Sequence, residues 1–132
     1  MVLPGSTGYA FNRTRQAYLA THITLAATHW SRFCGLMCTA TAEFGPGNGL
    51  WIVPCRGVHS FAMKFPIDVI YLDRRKCVVH IEENLRPWRI ARLSFETASV
   101  LELPAGTLRS SRTTVGDEID IAIGKLRETS TA

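Results

Sequence analysis

From residue 50 onward, apolar residues come in short runs and in strict alternation, and both patterns predict strands. Leu50-Trp51-Ile52-Val53 is an apolar run closed by Pro54. Over 58–65, His59, Phe61, Met63 and Phe65 fall on one face of a strand and Val58, Ser60, Ala62 and Lys64 on the other, until Pro66 interrupts the ladder. Residues 67–72 are nearly all apolar, as a strand covered on both sides requires. Asp73-Arg74-Arg75-Lys76 predicts a hairpin-type turn into a strand over 77–81, and Val100 to Leu103 a strand stopped by Pro104. Residues 106–111 suit a helical turn. Ile119, Ile121 and Ile123 alternate with polar or small neighbours in a last strand with part of one face wet.

Upstream, 18–24 is rich enough in β-formers for one strand. Trp30, Phe33, Cys34 and Met37 recur at i, i+3, i+4 and i+7 behind a capping Thr28, which predicts a short helix over 28–38 with Gly35 inside it. The sum is a mainly β, compact sandwich- or barrel-like domain of six to eight short strands, with one short α-helix near the N-terminus. Its expected core includes Trp30, Phe33, Leu50, Ile52, Phe61, Val69, Tyr71, Val79, Leu101 and Ile119.

The size of the chain, 132 residues, fits one domain over 1–132, with a polar tail after residue 125. A net charge of +4 without any block of five or six like charges argues against a nucleic-acid partner. No apolar run approaches the ~20 residues that span a bilayer. The first eleven residues carry no secretory signal, so a cytoplasmic protein is expected, with an envelope location only if the N-terminus has been trimmed. A monomer or weak dimer is expected.

Candidate chemistry is sparse. Cys34 and Cys38 are spaced C-x-x-x-C, which suits buried thiols on one helix face better than a zinc ribbon. Cys55, His59 and Met63 are spaced by four, but a strand sets His59 and Met63 about 13 Å apart, too far to share one ion. Cys55 and His59 remain weak metal candidates across the intervening bend, and a histidine hydrogen-bonded at a strand end is the plainer reading. Asp68 and Glu102 each sit inside an apolar strand, where a carboxylate must be paired, hydrogen-bonded or protonated. Asp68 is read either as a ligand or acid–base group, or as an acceptor for N–H groups freed where Pro66 breaks the ladder. Glu102 is read first as a structural partner of an arginine such as Arg32 or Arg89. Arg86, Arg89 and Arg92 around Trp88 could recognise an anion beside a flat ring, or be ordinary solvated charges. Gly45-Pro46-Gly47-Asn48-Gly49 lacks the ending of a P-loop, and no serine elbow or calcium loop is present.

Five strings in order give the chain a family likeness: Arg32-Phe33-Cys34-Gly35-Leu36-Met37; Gly49-Leu50-Trp51-Ile52-Val53-Pro54; the stretch from Val58 through Phe65-Pro66-Ile67-Asp68-Val69 to Tyr71-Leu72-Asp73; Leu101-Glu102-Leu103-Pro104-Ala105-Gly106; and Val115-Gly116-Asp117. Together they resemble the Domain of Unknown Function 192 family over about 12–121. The His-x-Phe-x-Met-x-Phe-Pro-Ile-Asp form, with Leu85-Arg86-Pro87-Trp88-Arg89 downstream, looks like a bacterial branch of it. The resemblance implies a small sandwich-like β domain and carries no activity. The chain departs from many relatives in the glycine-free turn at 73–76 and in lacking an export signal. Cys34 falls at a variable position of the first string, which has the form Arg-x-x-Gly-Leu-Met, and Cys38 and Cys77 match no family string.

The function expected from these residues is a non-catalytic binding or accessory module for a small anionic ligand or a partner protein, with no cofactor. Its candidate ligand residues are His59, Asp68, Trp88, Arg89 and Glu102. Two alternatives stand beside it: a hydrolase- or isomerase-type enzyme using Asp68, Glu102 and His59, and a metal- or thiol-handling protein using Cys55 and His59. In the first reading, 55–59 and 86–92 form one positive, half-aromatic rim.

Overall fold

Residues 6–26, 45–53, 65–86 and 96–125 are described by a computed structural model of the chain. They form eight strands in two sheets. Strands β1 (Ser6–Asn12), β2 (Ala17–Ala20) and β8 (Ile119–Lys125) make a three-stranded sheet in the order β2-β1-β8. Strands β3 (His22–Ala26), β4 (Asn48–Ile52), β7 (Ser99–Pro104), β5 (Ile67–Leu72) and β6 (Val78–Leu85) make a five-stranded sheet in that order. All neighbours are antiparallel except β3 and β4, which run parallel. Among the described residues no helix is long and apolar enough to cross a membrane.

The pleat sorts the apolar side chains onto both faces of the larger sheet. On one face Ile70, Leu72, Leu101 and Leu103 meet Ala10, Leu19 and Ile119 of the small sheet, and Leu108 joins them. On the other face Leu50, Ile52, Ile67, Val69, Tyr71, Leu85 and Val100 form a second cluster, so every residue of β5 is buried. Six of the ten expected core residues (Leu50, Ile52, Val69, Tyr71, Leu101, Ile119) are buried, and Val79 is half-buried against the second cluster. Trp30, Phe33 and Phe61 lie outside the described residues, as do the helix expected over 28–38 and, but for Phe65, the strand expected over 58–65.

Three elements differ from the pattern reading. The described helix is α1 (Thr107–Ser111), in the C-terminal half, where the sequence shows only a helical turn. The stretch 18–24 is two strands in two sheets, because both Thr21 and His22 donate their N–H to the Gly47 carbonyl and turn the chain. Strand β1 has no signal in the sequence: its buried positions are Ala10 and Asn12, while its large residue Tyr9 faces out.

The glycine-free hairpin between β5 and β6 is built by Asp73, whose Oδ1 accepts the N–H groups of Arg75 (2.8 Å) and Cys77 (2.9 Å). Lys76 takes the left-handed conformation there, with φ of 64°. Arg112, which ends α1, is left-handed too, with φ of 58°. Glycine has no Cβ to strain at such a position and is the usual helix terminator. Arg112→Gly is therefore expected to raise stability by roughly 0.5–1 kcal/mol, measured as a higher melting temperature; a lower one would show that the arginine side chain matters more than its backbone.

Candidate functional site

Strand β7 lies between β4 and β5, the position most shielded from solvent. Its alternation sends Leu101 and Leu103 into the core between the sheets and Val100 and Glu102 to the opposite face. Glu102 stands opposite Leu50 on one side and Val69 on the other, with only 4% of its surface exposed. Its Oε1 has no hydrogen-bond partner among the described residues. Burial pushes its pKa up to about 8, so the side chain is a neutral carboxylic acid at pH 7. A neutral acid in an apolar setting holds one O–H to donate and an acceptor beside it.

The same face carries a second polar group at the sheet edge. Tyr71 is paired with His80 and Val69 with Glu82, so His80 and Glu82 project on the side of Glu102. His80 Nε2 lies 3.0 Å from Glu82 Oε2, and the Tyr71 ring meets the imidazole edge-on with centroids 5.0 Å apart. Two strand spacings, roughly 10 Å, separate Glu82 from Glu102, so the groups share a face without touching.

Asp68 projects the other way. It is paired with Leu103, one residue out of phase with the Val69–Glu102 pair. Its Oδ1 accepts the Asn84 N–H at 2.8 Å, and its Oδ2 accepts those of Gly106 (3.1 Å) and Leu108 (2.8 Å). The donors do not come from the ladder broken by Pro66. Asn84 sits in a bulge of β6 with φ of 58°, where the pairing passes from Ile67–Leu85 to Val69–Glu82. Gly106 and Leu108 open α1, whose own start has no side-chain cap. Asp68 thus closes a bulge and starts a helix from a third strand. An open cleft of about 390 Å³ lies beside this junction, lined by Glu83, Asn84, Gly106 and Arg109. Arg109 Nε lies 3.5 Å from Glu83 Oε2 at its rim.

Asp68 and Glu102 therefore occupy opposite faces of one sheet, and the acid–base pair considered from the sequence has no common cavity. His59, Trp88, Arg89 and Cys55 lie outside the described residues, as does Arg32, so the rim of 55–59 with 86–92 and an arginine partner for Glu102 fall there too. No three of the described His, Cys, Asp and Glu residues come together as a metal site.

Sequence reasoning missed a buried polar network between β1 and the turn before β8. Asn12 Nδ2 donates to Thr113 Oγ1 and to Asp117 Oδ2, both at 2.9 Å. Arg15 Nε and the Thr114 N–H also reach Asp117 Oδ2, at 3.0 and 3.1 Å. Burial pushes the Asp117 carboxyl up, but the hydrogen bonds from Asn12, Thr114 and Arg15 and the charge of Arg15 outweigh it and hold the pKa below the ordinary value. The Val115-Gly116-Asp117 string was the available signal, and its partner Asn12 lies more than a hundred residues away.

Comparison with known proteins locates the chain by likeness. Residues 10–121 match the model of the family DUF192, described as uncharacterised. A UPF0127 protein of Thermococcus sibiricus is 31% identical over 114 residues, covering 83% of this chain and 71% of the relative. One from Thermococcus gammatolerans is 30% identical over 124 residues, covering 90% and 78%. A crystal structure of a protein of unknown function from Novosphingobium aromaticivorans superposes with a TM-score of 0.73 at 19% identity, covering 90% of this chain and 84% of that one. A second crystal structure, described as that of a putative transcription regulator from Sinorhizobium meliloti, superposes at 0.71 with 22% identity, covering 87% and 92%. These two likenesses speak for the fold.

Proposed function

The chain belongs to the uncharacterised DUF192 family, and for this member we propose a non-catalytic binding role toward a small anionic ligand, with Glu102 as the neutral acid that meets it. The supporting observation is that the Glu102 carboxyl is buried with Oε1 unpartnered among the described residues. A buried polar atom without a partner calls for one, and a bound ligand is one of the few explanations available. A protonated carboxyl in a dry site donates a short, charge-assisted hydrogen bond to a carboxylate or phosphate oxygen. In this reading Arg89, Trp88 and His59 supply the positive and aromatic rim. Asp68 has a structural role, since its oxygens already accept three N–H groups. The family-branch assignment, by the string over 59–68, belongs to the same proposal.

The enzyme alternative loses its paired carboxylates, because Asp68 and Glu102 lie across the sheet from one another. A titration of acetate, citrate and inorganic phosphate, followed by tryptophan fluorescence, tests the binding role. Affinity for at least one of them is expected to fall about tenfold for each pH unit above the pKa of the acid. Glu102→Gln, whose amide still donates, should bind without that pH dependence, and Glu102→Ala should bind about tenfold more weakly. Absence of binding below pH 7, or equal binding by all three proteins, would overturn the proposal.

A further inference from the structure

The cleft beside the Asp68 junction has walls that are fixed in advance. Two of its lining residues take the left-handed conformation, Asn84 with φ of 58° and Gly106 with φ of 98°. Each gives its N–H to the same buried carboxylate, at 2.8 and 3.1 Å, so Asp68 holds the two walls in a set relation. A non-glycine residue such as Asn84 keeps this conformation only where its surroundings enforce it, and such residues gather where proteins meet ligands. The space between the walls is open: a Cβ placed on Gly106 would meet no atom within 4 Å. At about 390 Å³ the cleft falls in the size range of small-molecule sites.

The lining defines the occupant. Arg109 and Glu83 set one positive and one negative group at the rim, with Nε and Oε2 3.5 Å apart. Their side chains are 85% and 48% exposed, so their attraction is screened by water and little is lost when a ligand comes between them. Asn84 is exposed beside them, and its side-chain amide both donates and accepts. A simple anion finds Arg109 already balanced by Glu83 and meets the Asp68 carboxylate behind the floor. A simple cation meets the guanidinium. A zwitterion satisfies both rim groups at once. In an α-amino acid the ammonium nitrogen and the carboxylate oxygens lie about 3 Å apart by ordinary bond lengths. That separation matches the rim, so carboxylate on guanidinium and ammonium on carboxylate form side by side.

We propose that the cleft of Glu83, Asn84, Gly106 and Arg109 binds a free α-amino acid. The ligand carboxylate takes Arg109, its ammonium group takes Glu83, and its side chain lies against Asn84 and the open flank of Gly106. The site is on the Asp68 side of the sheet, away from Glu102, and stands without that reading. Calorimetry and heteronuclear NMR on the full chain, with glycine, L-glutamine and L-lysine as probes, test it. At least one is expected to bind at millimolar concentration or better and to shift the signals of the Gly106 N–H and the Asn84 side-chain amide. A 4-aminobutyrate control, whose two charges stand farther apart, should bind about tenfold more weakly. Arg109→Gln and Glu83→Gln should each weaken amino-acid binding about tenfold with little change in melting temperature, since both side chains are largely in water. Arg74→Gln removes the same charge from the exposed turn at the other end of the β5–β6 hairpin and should leave that binding as it is. Failure of all three amino acids to bind, binding that leaves the Gly106 and Asn84 signals in place, equal affinity for 4-aminobutyrate, or affinity that neither cleft variant weakens would each overturn the proposal.

Discussion

Asp68→Ala is expected to lower folding stability by about 3–5 kcal/mol, read as a shift in the urea midpoint. The reason is the number of groups it serves. One carboxylate accepts N–H groups from the bulge in β6 and from the first turn of α1. Removing it leaves three donors at once, and the Leu108 N–H lies in a buried bond where water is a poor substitute. Asp68→Asn keeps the shape but turns an NH2 toward one set of donors, so it should recover only part of the loss. Asp120→Ala provides the contrast: that carboxylate is half exposed and faces Arg13 at 3.8 Å, so its removal should change stability by less than about 1 kcal/mol. Equal midpoints for Asp68→Ala and Asp120→Ala would show that the Asp68 bonds do not hold the junction together.

Glu102 should make the fold less stable as pH rises through the neutral range. Its pKa is about 8 in the folded protein against an ordinary 4.5, so between those values the folded state holds a proton that the unfolded state has released. Stability from this group is complete below pH 4.5 and is lost as pH climbs to 8, a difference on the order of 5 kcal/mol. Glu102→Gln cannot ionise, so its curve should lack this decline, and at pH 8 it should melt well above the wild type. The comparison isolates Glu102 from Asp117, which acts in the opposite sense: its lowered pKa contributes stability above the unfolded value and loses it as pH falls into the acid range. Parallel pH profiles for wild type and Glu102→Gln would place the carboxyl in a wetter or better-paired setting than its burial indicates.

Much of the strand pattern was legible from local order. An apolar run such as 67–72 has to be covered on both faces, and β5 is buried throughout. The alternation at 119–123 and the glycine-free turn at 73–76 likewise report chemistry within a few residues of themselves. Strand β1 was illegible for the converse reason. Its inward positions are small or polar and its large aromatics point outward, which reverses the cue that burial normally leaves in a sequence. Asn12 is buried because Thr113 and Asp117 receive its amide hydrogens, and nothing near Asn12 in the chain announces them.

The two buried carboxylates mark the boundary most clearly. Local order along the chain is enough to put Asp68 and Glu102 in apolar strands and to require that each be satisfied or neutral, because an unpaired buried charge is too costly. Which outcome falls to which residue depends on the fold. Asp68 meets three N–H groups brought from a bulge and a helix start 16 to 40 residues away, whereas Glu102 meets Leu50 and Val69 and holds its proton. Their separation onto opposite faces also rests on register: Val69 pairs with Glu102 and Asp68 with Leu103. A slip of one residue would have placed both carboxylates on the same side, and strand register is set by the packing of whole faces, which no stretch of sequence encodes alone.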